Sequence, residues 1–313
     1  MKVLAWHVHG GWMDAFVQGE HEYLVPTAPG GGAYGLGRAG RDWTISEVPY
    51  GAPVHPDVVV LQRPEEEQLA RGLTGLVPGL DVPAVYVEHN TPPAPNARHP
   101  LADRSDLLLV HVTHFNDLMW DCGSTPTTVV EHGVRDPGHL FTGELAVAAA
   151  VLNDPVRRGR MTGTDLLPRF AAVGPVDVFG MGLDGLTDTV RAVGDLPTAR
   201  LHAELARRRA YLHVTRWTSL GLSLLEAMHA GLPPVVLGTT EAARAVPPGA
   251  GVVSTRVADL VEATAKLLGD RVLAADTGAR AREHALARYG LRSFLQTWDD
   301  VLRHAVSGTG GST

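Results

Sequence analysis

The short apolar runs of this chain constrain its fold more than any other feature. They lie at Val3–Val8, Val58–Leu61, Ala84–Val87, Leu107–Val112 and Thr128–Val130, then at Ala146–Leu152, Val176–Phe179, Ala210–Val214, Pro234–Leu237 and Val252–Val253. They are continuous rather than alternating and are separated by helix-length spacers, the pattern of parallel strands buried on both faces. That predicts doubly wound α/β layers, and two sets of runs predict two Rossmann-like halves. A length of 313 residues with 44% hydrophobic content is about right for two domains and too much for one ordinary core. The turn-rich segment Glu131–Gly138 closes the first set, so the boundary is placed near Gly143: a first domain over 1–142 and a second over 143–290. Beyond it, Leu291, Phe294, Leu295, Trp298, Val301, Leu302 and Ala305 repeat at helical spacing, so one face of a helix over 291–306 must pack on one domain or the other. The Gly/Ser/Thr-rich segment 307–313 is expected to be disordered.

Charge excludes some partners. A net charge of −7 argues against a nucleic-acid footprint, and with Lys2 and Lys266 the only lysines there is no polybasic membrane anchor. Arg carries nearly all the positive charge and binds phosphate bidentately. The lone Cys122 excludes an internal disulfide. The opening Met1–Trp6 run is too short for a secretory signal and is followed by His7 and His9, so a cytoplasmic location is expected. No apolar run approaches the ~20 residues needed to span a bilayer. No His or Cys spacing matches a ligand pattern, so no metal is expected.

Several residues stand where open α/β sheets take their ligands, beyond the carboxyl ends of strands. Glu226 is the single acid in an apolar helix start, behind the turn Ser219-Leu220-Gly221-Leu222, whose free amides suit an anion. Arg157, Arg158 and Arg160 follow a strand and precede a helix that Thr162 or Thr164 could cap, a concentrated anion trap. Gly10 and Gly11 follow the first strand and allow close backbone approach, with His9 rather than His7 expected to face the ligand. His89 ends the run Tyr86-Val87-Glu88, and His111, His114, Asn116 and Asp117 come one strand later as possible acceptor-side residues.

The block Leu222–Val236 resembles the signature of retaining glycosyltransferases of family four (glycosyl transferases group 1), which have the GT-B fold, and the resemblance spans most of 84–305. It implies two Rossmann-like domains facing a cleft, an N-terminal acceptor domain and a C-terminal donor domain, with the 291–306 helix crossing back to the first. It implies a nucleoside-diphosphate sugar, UDP- or GDP-linked, as co-substrate with no other cofactor, and a hydroxyl acceptor. Glu226 would grip the ribose; the Ser219–Leu222 turn, Arg157 and its neighbours would hold the diphosphate. Gly10 and Gly11 would touch phosphate or sugar, His89 the sugar beside the anomeric carbon, and Gly180 the region of the base. Two positions depart from the pattern. Thr162 stands at the Lys of Arg-x4-Lys, and Thr218 at the first Glu of Glu-x7-Glu. Replacing that carboxylate by a hydroxyl would weaken a sugar contact by about 1.5–3 kcal/mol. In the same family Glu241 closes the site, although it could equally cap the next helix. Two other readings stay open: a nucleotide-sugar epimerase using Glu88, Glu131 or Glu241, and a non-catalytic nucleotide or sugar binder.

Overall fold

The computed structural model describes residues 1–308 apart from Pro29, Ala33, Tyr34 and Tyr50. The chain divides into two units, one of Met1–Arg135 with Leu291–Thr313 and one of Asp136–Gly290.

The first unit contains β1 (Lys2–Ala5), α1 (Gly10–Phe16), β2 (Glu22–Thr27), β3 (Ser46–Pro49), β4 (Val58–Leu61), α2 (Glu66–Thr74), β5 (Ala84–Glu88), β6 (Leu108–His111), α3 (His114–Met119) and β7 (Thr127–Val129). Its strands pair in parallel in the order β3-β2-β1-β4-β5-β6-β7. The central runs are apolar throughout, as burial on both faces requires: Val58 to Leu61 are fully buried.

The second unit contains β8 (Leu145–Val151), α4 (Pro155–Arg158), α5 (Leu167–Ala171), β9 (Val176–Phe179), β10 (Arg191–Gly194), α6 (Thr198–Ala206), β11 (Arg208–His213), α7 (Leu222–Ala230), β12 (Pro234–Leu237), α8 (Ala242–Ala245), β13 (Val252–Ser254), α9 (Val257–Gly269) and α10 (Arg271–Arg288). Its sheet is also parallel, in the order β10-β9-β8-β11-β12-β13. In each unit the order reverses beside the first strand, between β1 and β4 and between β8 and β11, and ligands of open α/β sheets bind at such switch points.

The last helix, α11 (Leu291–Gly308), buries Phe294, Trp298 and Leu302 within the first unit. The Trp298 ring meets Trp12 and Phe16 of α1 edge-on, with centroids 5.5 and 5.1 Å away. Because this helix continues to Gly308, Ser307 and Gly308 are helical rather than part of a disordered tail; residues 309–313 lie outside the described residues. The division between units also falls earlier than Gly143. Arg282 clasps Asp136 with bonds of 2.6 and 2.8 Å, and the amides of Leu140 and Phe141 donate to the Ala230 carbonyl at 3.1 and 3.0 Å, so residues 136–142 are fastened to the second unit.

Candidate functional site

In the second unit the loop leaving β8 turns sharply. Asp154 adopts the left-handed conformation at φ +50°, and a side chain at Gly180 would collide with the Leu152 carbonyl, so the exits of β8 and β9 cross in close contact. Arg157 pairs with Asp154 at 2.6 Å, and Arg158 lies against the Met161 sulfur at 3.9 Å. Arg160, 77% exposed along its side chain, reaches Asp165 at 3.1 Å. Thr162 is 2% exposed, its hydroxyl donating to the Gly159 carbonyl at 3.0 Å and lying 2.9 Å from that of Thr164. It therefore fastens the loop from inside and caps no helix.

Across the switch point, the loop leaving β11 carries Arg216, half-buried Thr218, and buried Ser219 and Leu220 into α7. Gly221 precedes the helix and offers no side-chain cap, so the end amides of α7 require a partner from outside the helix. Beneath the turn lies His213, whose Cε1 stands 3.0 Å from where a Gly221 Cβ would be. Burial holds this imidazole neutral, at a pKa of about 4. One turn into α7, the Glu226 carboxylate is 18% exposed and 3.5 Å from His202 Nε2 of α6. The structure thus brings Arg157, Arg158, Arg160, Gly180, Thr218, the Ser219–Leu222 turn and Glu226 to one edge of one sheet. Glu241 is buried and its carboxylate lies 3.1 Å from Arg244; it stands at the N-cap position of α8, but its side chain makes no cap hydrogen bond.

In the first unit Gly10 and Gly11 open helix α1 rather than form a loop. His7 points inward, its Nδ1 2.9 Å from the Gly37 carbonyl and its ring against Trp43. His9 stacks on His89 with centroids 4.0 Å apart, and Trp12 meets His89 edge-on. His132, beyond β7, completes a trio: burial first, then its two neighbours' charges, lowers the His89 pKa well below the usual imidazole value. His132 is pushed to about 4 by burial and by His9, and its Nδ1 has no partner among the described residues. Burial likewise lowers His9, against the opposing pull of Glu88. Three neutral imidazoles offer donors and acceptors to hydroxyls but no charge to an anion.

Behind this trio Glu88 accepts the Asn90 amide at 2.6 Å and faces His99 Nε2 at 3.0 Å. His99 Nδ1 accepts the Leu101 amide at 3.1 Å, so the ring is the Nε2–H tautomer and donates to Glu88. His111 and Asn116 do not line an acceptor surface. Both are fully buried, His111 beside Cys122 Sγ at 3.6 Å and Asp117 at 3.8 Å, and the Asn116 amide accepted by the Thr113 hydroxyl. His114 is exposed on the first turn of α3. The Cys122–His111–Asp117 grouping is not a nucleophile: burial lifts the thiol to about 11 and drops His111 to about 4, so the proton stays on sulfur. Among the described residues no cluster of three His, Cys, Asp or Glu is disposed to hold a metal, and no helix is long and apolar enough to cross a membrane.

Sequence reasoning missed three members of these sites. His132 stands in the turn Glu131-His132-Gly133 and His213 inside an apolar strand run, where neither carries a local signal; Arg216 follows a strand run as the Arg157 group does, and that position is the signal for it.

Comparison with known proteins agrees with this architecture. The family model described as glycosyl transferases group 1 matches residues 183–284. Among solved structures, sucrose-phosphate synthase from Thermosynechococcus elongatus superposes with a TM-score of 0.72 at 12% identity, over 98% of this chain and 100% of that one. Anabaena HepE in complex with UDP-glucose gives 0.71 at 14% identity, over 97% and 99%. S. aureus TarM gives 0.59 at 15% identity, over 78% of this chain and 55% of that one, so the chain spans about half the length of TarM. No curated protein matches the sequence. The match to glycosyl transferases group 1 thus lies within the second unit, and two parallel doubly wound units give the chain the GT-B fold of these structures.

Proposed function

We propose that the protein transfers a sugar from a nucleoside-diphosphate donor, UDP- or GDP-linked, to an acceptor hydroxyl with retention of anomeric configuration. The observation that carries this reading is the switch point of the second sheet, where Arg157, Arg158 and Arg160 follow β8 and the loop leaving β11 runs into the uncapped start of α7 and the half-buried Glu226. Glu226 accepts hydrogen bonds from the ribose hydroxyls. The α7 amides and the guanidinium groups take the diphosphate and stabilise the charge that grows on it as the glycosyl bond breaks. Thr218 meets the sugar with a hydroxyl, which shifts sugar preference rather than nucleotide affinity. In the first unit, Gly10, Gly11, His9 and His89 contribute uncharged contacts to hydroxyl-bearing groups, with His132 behind them. No protein nucleophile is assigned, because an acceptor entering on the face the diphosphate leaves needs none. We propose a cytoplasmic setting, no metal requirement, no nucleic-acid partner, and action as a monomer or dimer.

Of the three carboxylates an epimerase could use, Glu88, Glu131 and Glu241, two are engaged in the protein itself. Glu88 is committed to His99 and Asn90, and Glu241 is buried beside Arg244. The test is release of nucleoside diphosphate from a panel of UDP- and GDP-sugars, with and without alcohol acceptors. Donor-dependent release that rises with acceptor supports transfer; interconversion of the sugars, or tight binding without turnover, overturns it.

A further inference from the structure

Arg216 has no role in the proposed function so far, yet its guanidinium is firmly placed at the second switch point. Its Nη1 and Nη2 donate side by side to the two oxygens of Asp165 at 2.6 and 2.9 Å. Nη1 also donates to the Arg160 carbonyl at 2.6 Å, and the Arg216 amide donates to the Met161 carbonyl at 2.8 Å. The side chain leaves the β11 loop and docks on the β8 loop at the residues that flank Thr162. Asp165 simultaneously holds Arg160 Nη1 at 3.1 Å, so one carboxylate keeps two guanidinium groups adjacent despite their mutual repulsion. The hydrogen bonds from Arg216 come first among the causes that lower the Asp165 pKa, so the acid stays ionised and the clamp stays closed at neutral pH. Gly163 brings the two loops together, because a side chain there would strike the Val214 carbonyl.

One anion between two cations leaves an excess positive charge on the loops leaving β8 and β11, the second of which runs on into the uncapped start of α7. Thr162 adds nothing to it, since its hydroxyl is spent inside the loop. We infer that Arg216 is a diphosphate-gripping residue, reaching the β8 loop from the far side of the switch point, and that Asp165 is the positioning residue that holds it and Arg160 in place for that task. The inference rests on the proposed nucleotide-sugar site of the second unit and deepens it by naming where its missing charge comes from.

The experiment measures affinity for UDP and GDP by calorimetry, and for uridine and guanosine by ligand-observed NMR, in the wild type and in Arg216→Gln, Arg216→Lys and Asp165→Asn. We expect the preferred diphosphate to bind at least tenfold more weakly to Arg216→Gln and three- to tenfold more weakly to Asp165→Asn. Arg216→Lys should recover part of the loss, and nucleoside affinity should stay within twofold in all three. Retained nucleoside binding also shows that the variants are folded. Diphosphate affinity unchanged in Arg216→Gln, or tightened in Asp165→Asn, overturns the inference while leaving the donor site standing. Equal losses for nucleoside and diphosphate overturn it too, because they mark a purely architectural clamp. A wild type that binds neither diphosphate sinks the donor site itself, and the inference with it.

Discussion

Mild acid should weaken the second unit through buried rings: His229 of α7 is lowered by burial, and so is His213, the ring that substitution singles out. Burial depresses this imidazole from 6.5 to about 4. Once the chain unfolds, the ring regains its ordinary pKa of about 6.5. Between those two values the unfolded state binds a proton that the folded state does not, so stability rises with pH and is lost as pH falls. The slope approaches about 1.4 kcal/mol per pH unit, and the loss relative to neutral pH reaches about 2 kcal/mol at pH 5, roughly thirtyfold in the folding constant. Carboxylates held low by arginine, Asp165 and Asp136 among them, act with the same sign, but their window lies below the ordinary carboxylate pKa of about 4. The interval from pH 6.5 to 5 therefore reports histidine. Urea titrations from pH 7.5 to 5, read by pulsed hydrogen exchange on peptides from β8 and β11, isolate the second unit. His213→Gln should lower stability at pH 7.5 through lost packing, yet lose about 2 kcal/mol less than wild type on going to pH 5. Parallel pH curves for the two proteins would refute the assignment of a neutral, desolvated ring beneath the Gly221 turn.

Three further outcomes follow from the geometry. Glu226→Gln removes a charged acceptor and should weaken nucleoside diphosphate binding about 10- to 100-fold by calorimetry; unchanged affinity would dismiss the ribose assignment. Trp298→Ala empties a fully enclosed aromatic site against Trp12 and Phe16 and should cost the first unit about 3–5 kcal/mol in denaturant titrations, with a cost under ~1 kcal/mol incompatible with that packing. Gly163→Ala forces a side chain to φ +76° and into the Val214 carbonyl, so it should destabilise the second unit by roughly 1–3 kcal/mol and weaken diphosphate binding together; normal thermal stability would contradict the close approach.

Much of the fold was legible because buried parallel strands must be apolar along their whole length. The runs at Val58–Leu61, Val176–Phe179 and Pro234–Leu237 coincide with β4, β9 and β12. The strands that escaped notice are of a different kind. β3 (Ser-Glu-Val-Pro) and β10 (Arg-Ala-Val-Gly) lie at sheet edges, where one side needs no apolar cover, and β2 contains a proline. In the candidate site, Glu226 and the arginines announced themselves as charges in unexpected company. His132, Arg216 and Asp165 did not, because their meaning comes from partners 30 or more residues away: Arg216 and Asp165 are 51 positions apart in sequence. The acceptor-side expectation for His111 and Asn116 failed for the same reason, since the depth of a residue below a strand end is set by neighbouring strands rather than by its own local pattern.

The path of the backbone through the two units has a practical outcome. The second unit is one uninterrupted stretch, 136–290, inserted between the body of the first unit and the helix that completes it. Excising it should yield an autonomous fragment, whereas cutting after Arg135 strips the other half of the Trp298 plug and bares the Trp12 and Phe16 faces to solvent. Expressed separately, the inserted half should remain dispersed and the truncated half aggregate, unless α11 is spliced back behind a short flexible tether.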